Sequence, residues 1–189
     1  MIVVVIIAIL ATIAVPLFVE RLRVQRAQEG AQRIGEIYRS ARTRALGRGA
    51  AVMVSTNGTD FRMFEGVEGT AASTSAGRTA CGNLPTRGCM TNNWGNLGSG
   101  TTIGTAREIQ SISKSPTSTV VTTINGSAAS ALNVCFSPAG RAFVNVTGTW
   151  TPASWQPLSD VVTFKVTHTG SKRFWDVLLL PNGTARIGL

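Results

Sequence analysis

Chemically reactive side chains are few in this chain of 189 residues, which has three cysteines and one histidine. Cys81, Cys89 and Cys135 lack the Cys-x-x-Cys spacing and the histidine partners of a zinc site. Catalysis by a nucleophile and a histidine would have to use His168, which follows a β-rich run and precedes Gly170. We interpret His168 as an exposed turn histidine, and we expect no enzyme activity, no catalytic residue, no cofactor and no metal.

The cysteines favour a disulfide instead. Cys81 and Cys89 enclose seven residues that include two glycines and a proline, a flexible loop that a disulfide could close in an oxidising compartment. We predict a bond between these two cysteines. Cys135 falls in a strand-like run, where it is either a buried free thiol or the partner of one of the two loop cysteines.

Charge is distributed unevenly along the chain. The net charge is +9, from 18 Lys and Arg against 9 Asp and Glu. Residues 1–19 contain no charged side chain, whereas residues 20–48 contain eight arginines and three glutamates. As a helix, residues 1–19 would be about 28 Å long, enough for the hydrocarbon core of a bilayer. We predict a transmembrane or assembly helix there, with a kink at its proline. Its apolar surface and proline comprise Met1, Ile2, Val3, Val4, Val5, Ile6, Ile7, Ile9, Leu10, Ile13, Val15 and Pro16.

The helical pattern continues over residues 20–48. Apolar or small residues recur every seven positions, at Leu17, Val24, Ala31, Tyr38 and Ala45, and at Ala27, Ile34 and Ala41. Gly47 and Gly49 end the pattern. We therefore predict an amphipathic second half of the same helix, which lays this stripe on a flat surface and carries most of its arginines elsewhere.

Residues 49–189 are predicted to form a β-rich head. Short β-rich runs flank turn sequences at 50–55 and 61–64, at 132–136 and 142–146, and at 161–167 and 174–180, and a last strand covers 185–189. Antiparallel strands on the helix stripe give an α+β fold. Residues 66–100 and 147–159 are rich in loop-forming types and are expected to be surface loops.

Four Asn-x-Ser/Thr sequences occur, at Asn57, Asn125, Asn145 and Asn182. Three of them are also Asn-Gly pairs, which favour tight turns. We interpret those three as turn signals rather than as glycosylation sites.

The run from Met1 to Pro16, MIVVVIIAILATIAVP, resembles the signal and assembly helix of type IV pilins and type II secretion pseudopilins. Mature members of that family begin with Phe-Thr-Leu-Ile-Glu after a leader that ends in glycine, so we expect the natural chain to start upstream of Met1. The resemblance implies a pilin fold and a single-pass position in a bacterial inner membrane. It places the head in the periplasm, and the subunit in a pilus or pseudopilus when assembled.

The resemblance also implies partners. These are other pilins or pseudopilins through the N-terminal helix, inner-membrane lipid and, if a leader exists upstream, prepilin peptidase. In such a filament the arginine-rich part of the helix would face neighbouring subunits and pair with their glutamates or with sheet carbonyls.

Two short head motifs are similar to the FimT/GspH group of minor pilins and pseudopilins. Residues 135–142 resemble its Phe-x-Pro-x-Gly-Arg hairpin, and residues 180–187 resemble its closing strand. Members implicated in natural transformation bind DNA through Gly-Arg-x-Arg in that last hairpin, where this chain has threonine at the first arginine position. The candidate DNA contacts are Arg141, Lys165, Lys172, Arg173 and Arg186.

We predict a minor pilin or pseudopilin that works by packing rather than by chemistry. One alternative is a DNA-binding minor pilin for natural transformation. Another is a non-polymerising, signal-anchored membrane protein whose basic segment binds anionic lipid. That last alternative predicts the opposite topology, with the head in the cytoplasm.

Overall fold

The computed structural model describes residues 2–58, 60–66, 88–90, 94, 106–113, 117–148 and 152–188. The side chains of residues 2, 4–14, 16, 17, 106 and 107 lie outside that description. The predicted span of residues 1–19 therefore falls largely on side chains that are not described. Over the described part of the chain, no helix has both the length and the apolar character needed to cross a bilayer.

The chain begins with one long helix, α1, over Ile2–Arg48. It runs without interruption through Pro16. At its other end, Gly49 has a φ of +64° and donates its N–H to the carbonyl of Ala45 at 3.1 Å. A glycine in this left-handed conformation is a common helix stop, because it has no Cβ to clash. The predicted end of the helix is confirmed.

The apolar stripe of α1 is the part of the helix that the head covers. Its buried members are Ala27, Ala31, Ile34, Tyr38, Ala41 and Ala45, each at most 4% exposed. Alanines let the helix approach the strands closely, while the larger side chains fill the space between them. The amphipathic half is therefore confirmed, and Ile37 joins the same buried face.

Eleven strands form two sheets within the described residues. They are β1 (Val52–Thr56), β2 (Asp60–Gly66), β3 (Ala106–Ser113), β4 (Ser118–Ile124), β5 (Ser127–Ala128), β6 (Leu132–Phe136), β7 (Ala142–Asn145), β8 (Gln156–Pro157), β9 (Val162–His168), β10 (Phe174–Leu179) and β11 (Ala185–Gly188). The first sheet has the order β3-β2-β1-β6-β7-β8, and the second has the order β11-β10-β9-β4-β5. Every pairing is antiparallel, so the predicted α+β architecture is confirmed.

The three predicted hairpins are present. β1 pairs with β2, β6 with β7, and β9 with β10, and the closing strand β11 pairs with β10. The strands β3 and β4 were not expected. Five of the eight residues of β3 and four of the seven of β4 are polar or charged, so neither strand has the apolar run that marks a buried strand. β3 also lies at the edge of its sheet.

An aromatic cluster joins the helix to both sheets. Tyr38 comes from α1, Phe61 from β2 in the first sheet and Phe164 from β9 in the second. The Tyr38 and Phe164 rings stack with centroids 5.1 Å apart, and the Phe61 ring meets both edge-on at 6.5 and 5.7 Å. The main core therefore lies where the three layers meet.

A second core covers the opposite face of the first sheet. Alternation along β1 points Val52 and Val54 towards the helix and Met53 away from it. Met53 packs with Phe64, Cys135, Trp94 and Trp155 among others, all at most 4% exposed. Parts of residues 66–100 and 147–159 thus supply buried side chains, which corrects the expectation that both are simply surface loops.

The disulfide joins Cys89 to Cys135, with 5.8 Å between the Cα atoms. The predicted Cys81–Cys89 bond is wrong, because Cys89 is already bonded; Cys81 itself lies outside the described residues. The alternative in which Cys135 pairs with a loop cysteine is the one observed. Short separation in sequence favoured the wrong pair, whereas the fold brings Cys89 onto the strand that carries Cys135, 46 residues away.

Candidate assembly surface

The helix extends beyond the head at its N-terminal end. We call residues 2–19 the projecting segment; its 18 residues are about 27 Å long. Its described side chains are all apolar and exposed: Val3 at 67%, Val15 at 59%, Phe18 at 64% and Val19 at 37%. Apolar surface of this kind costs about 25 cal/mol per Å² in water, so the segment favours an apolar environment or partner.

The projecting segment meets the head at the neck, formed by Glu20 and Arg23 of the helix and Gly170 and Ser171 of the β9–β10 loop. Ser171 donates its hydroxyl to Glu20 Oε1 at 2.8 Å, and Arg23 donates to the Gly170 carbonyl at 3.3 Å. Gly170 has a φ of +84°, and a Cβ there would lie 3.3 Å from Arg23 Nη1. Glycine thus permits both the turn and the close approach of the arginine.

Four of the helix arginines bond within their own chain. Arg44 and Arg48 each lie 2.9 Å from the carboxylate of Glu65, and Arg39 donates to the carbonyl of Ala185 at 3.2 Å. Arg23 bonds at the neck. These four arginines thus already have partners within the head, and the pairing of helix arginines with neighbouring subunits stays a prediction. The partners named here are 17 to 147 residues away in sequence, too far for a local pattern to reveal them.

Three other arginines of the helix face solvent. Arg21, Arg26 and Arg33 are exposed and form no hydrogen bond or ion pair with the described residues. Glu29 and Glu36 are exposed on the same outward face of α1. This mixed charged face continues directly from the projecting segment along the outward side of the helix.

A groove of about 260 Å³ lies beside that face. Its apolar lining includes Ile34, Phe61, Ile112, Val120 and Val166, and Arg26, Glu29 and Arg33 also line it. Gly30 of the helix also lines it, and a Cβ there would lie 3.4 Å from Val166 Cγ1, which is van der Waals contact. The groove occurs where the helix passes the edges of both sheets.

The candidate DNA contacts do not form a single patch. Lys172 and Arg173 are exposed in the β9–β10 loop at the neck, whereas Arg186 lies opposite Leu178 near the far end of β10. Arg141 directly precedes β7, which begins at Ala142. That end of β7 lies against the β10–β11 turn, where Gly183 approaches Phe136 and Ala142. Lys165 lies midway along the second sheet, where its ammonium is 4.2 Å from the centre of the Phe174 ring.

His168 is not the exposed turn residue that the sequence suggested. It is the last residue of β9 and only 5% exposed, because the inward alternation of Val162, Phe164 and Val166 continues to it. Its Nδ1 lies 2.8 Å from the Thr169 carbonyl oxygen. Within the described residues, no three His, Cys, Asp or Glu side chains gather as metal ligands would.

Comparison with known proteins found two solved structures, both of the type IV minor pilin FimU from Pseudomonas aeruginosa. The P21 crystal form aligns with a TM-score of 0.48 and 12% identity, over 91% of this chain and 92% of that one. The P65 form aligns with a TM-score of 0.46 and 10% identity, over 86% and 92% of the two chains. No protein-family model and no curated protein sequence matches this chain.

Proposed function

We propose that the chain is a pilin-like structural subunit, a minor pilin or pseudopilin, which enters a filament through its projecting segment. The observation that carries this is the continuity of α1. One helix supplies the core of the head over residues 27–45 and then extends as an exposed apolar segment. Such a surface is compatible both with lipid and with neighbouring helices, as a subunit stored in a membrane and assembled into a filament requires.

The disulfide supports a position of the head outside the cytoplasm. Disulfides persist in oxidising compartments and are rare in reduced ones. Cys135 is fully buried in the centre of the first sheet and Cys89 is 2% exposed, so this bond belongs to the folded core. The head then faces the periplasm, with residues 1–19 in the inner membrane before assembly.

Two exposed valines provide a matched test of assembly. Val15 in the projecting segment is 59% exposed, and Val146 in the head is 52% exposed. We expect Val15→Glu to reduce the amount of the chain in sheared surface filaments at least about tenfold in the native host. A charge in an apolar helix environment costs roughly 2.5–3.5 kcal/mol, and 1.4 kcal/mol corresponds to tenfold.

Val146→Glu should leave the amount in filaments unchanged, because that side chain already faces water. The measurement is an immunoblot of filament and cell fractions against the head. Wild-type levels of Val15→Glu in the filaments would contradict the proposal. So would absence of the native chain from filaments that contain the other subunits.

Protease treatment of spheroplasts distinguishes the signal-anchored alternative. If the head is periplasmic, an added protease digests it while a cytoplasmic marker stays intact. Protection of the head would favour the anchored protein with its basic segment at the cytoplasmic leaflet.

A further inference from the structure

Three Asn-Gly pairs lie in turns of the head: Asn57-Gly58, Asn125-Gly126 and Asn182-Gly183. They have nearly the same local sequence, since each is followed by serine or threonine. Each asparagine is exposed. The bonding of the side chain and of the following N–H, however, differs sharply among the three turns.

Asn-Gly pairs are the sequences most prone to spontaneous deamidation. The backbone nitrogen of the glycine loses its proton and attacks the side-chain carbon Cγ of the asparagine, which expels ammonia and closes a succinimide ring. Water then opens the ring at either carbonyl, giving aspartate or isoaspartate. Glycine favours the step because no Cβ hinders the approach of its nitrogen. The reaction needs a mobile side chain and a free backbone N–H.

Two of the pairs are restrained. Asn57 Oδ1 accepts the N–H of Asp60 at 2.8 Å, and the N–H of Gly58 is donated to Thr56 Oγ1 at 3.1 Å. Asn182 Oδ1 accepts the N–H and the hydroxyl of Thr184 at 3.0 and 2.7 Å. The N–H of Gly183 is donated to the Leu180 carbonyl at 2.8 Å. In both turns hydrogen bonds therefore occupy the glycine N–H and fix the asparagine side chain.

The third pair has neither restraint. Asn125 and Gly126 form the two-residue tip between β4 and β5, with φ values of +48° and +77°. Neither the Asn125 side chain nor the Gly126 N–H forms a hydrogen bond with the described residues, and both residues are exposed. We propose that Asn125 is a modification site, where the folded protein deamidates selectively to aspartate and isoaspartate.

The modification would alter the β4–β5 hairpin. Either product adds a negative charge at the tip, and isoaspartate also adds a backbone carbon to a turn that has only two central residues. Strand β5 is itself two residues long and pairs only with Thr123 and Ile124 of β4. The short hairpin has little pairing with which to absorb the extra length.

The test follows the three sites during incubation of the full-length protein in detergent at mildly alkaline pH. Digestion and mass spectrometry then measure the conversion of each peptide from amide to acid, and chromatography separates the two acid products. We expect Asn57 and Asn182 to convert at least about tenfold more slowly than Asn125, because their hydrogen bonds must break first. In denaturant the three rates should become similar, since the local sequences nearly match.

Gly126→Ala should slow the reaction at Asn125 and leave the other two rates unchanged. Comparable rates at Asn125 and at either other site in the folded protein would overturn the proposal. If Asn125 also reacted fastest in denaturant, the selectivity would come from the local sequence and not from the fold, which would overturn the proposal. If Asn125 reacted only after unfolding, the hairpin would protect it, and the proposal would again be overturned.

Discussion

Tyr38 is the one tyrosine of the chain, and its ring is the helix's contribution to the aromatic cluster. It is fully buried, and its hydroxyl has no hydrogen-bond partner among the described residues. Burial raises the pKa of Tyr38 above its ordinary value of 10.0. Since burial favours the neutral phenol, the fold keeps its full stability below pH 10 and loses part of it as the pH rises further.

Tyr38→Phe should therefore leave the stability at neutral pH unchanged or raise it by about 1 kcal/mol, because it removes an unsatisfied buried hydroxyl. It should also abolish the part of the alkaline loss that Tyr38 causes. Urea unfolding at neutral and alkaline pH measures both effects. Ultraviolet titration of the wild-type protein, which reports this single tyrosine, should show ionisation only on unfolding.

The buried ion pairs of Glu65 give a second prediction about a single side chain. Its carboxylate is 4% exposed and accepts bonds from Arg44 and Arg48. Glu65→Gln keeps the shape but removes the charge, and it should lower the free energy of unfolding by about 2 kcal/mol, as expected for charged hydrogen bonds. Glu108→Gln is the control: the ion pair of Glu108 with Arg62 is exposed, so it should cost less than about 1 kcal/mol. Equal costs would contradict the role of burial.

Among the elements, α1 carries a glycine inside its buried half. Gly30→Ala should stabilise the protein by up to about 1 kcal/mol, because alanine favours a helix interior and its Cβ would touch Val166 at 3.4 Å. Gly183→Ala should destabilise the protein by more than about 1 kcal/mol. There φ is +76°, and the new Cβ would lie 3.0 Å from Phe136 Cε1. Thermal unfolding of both variants in detergent compares the two positions.

The helix and the hairpins followed from local patterns, while the contacts between elements did not. The stripe that includes Ala31 and Tyr38 has helical spacing, and Asn57-Gly58 marks a turn, so a few neighbouring residues determine each element. Strand β4 was missed because its Ser- and Thr-rich sequence resembles a loop and its pairing with β9 is distant in sequence. The projecting segment was predicted as an apolar helix, whereas the neck depends on residues 147 and 151 positions apart.

At the scale of the whole molecule, the Cys89–Cys135 disulfide links two residues that are 46 positions apart in the chain. A disulfide that closes a loop of 46 residues lowers the conformational entropy of the unfolded chain. It should thereby stabilise the fold by about 4 kcal/mol. Cys135→Ala should lose most of this and expose the second core, including Trp94 and Trp155. Cys81→Ser should leave the disulfide and the free energy of unfolding unchanged, because the two bonded sulfurs belong to Cys89 and Cys135.

Urea unfolding and Trp fluorescence of the two variants, with and without reductant, measure these effects. A Cys81→Ser variant that loses the disulfide would restore the pairing that the sequence suggested.

The arrangement of the buried stripe determines how the head bears mechanical load. The stripe extends along the helix axis from Ala27 to Ala45, a length of about 27 Å. A force that pulls on the projecting segment acts parallel to the buried stripe. The contacts between the stripe and the strands are then loaded together in shear, rather than broken one after another. The neck bonds of Glu20 and Arg23 oppose sideways bending instead. Tension along the helix axis is therefore shared by the whole buried stripe.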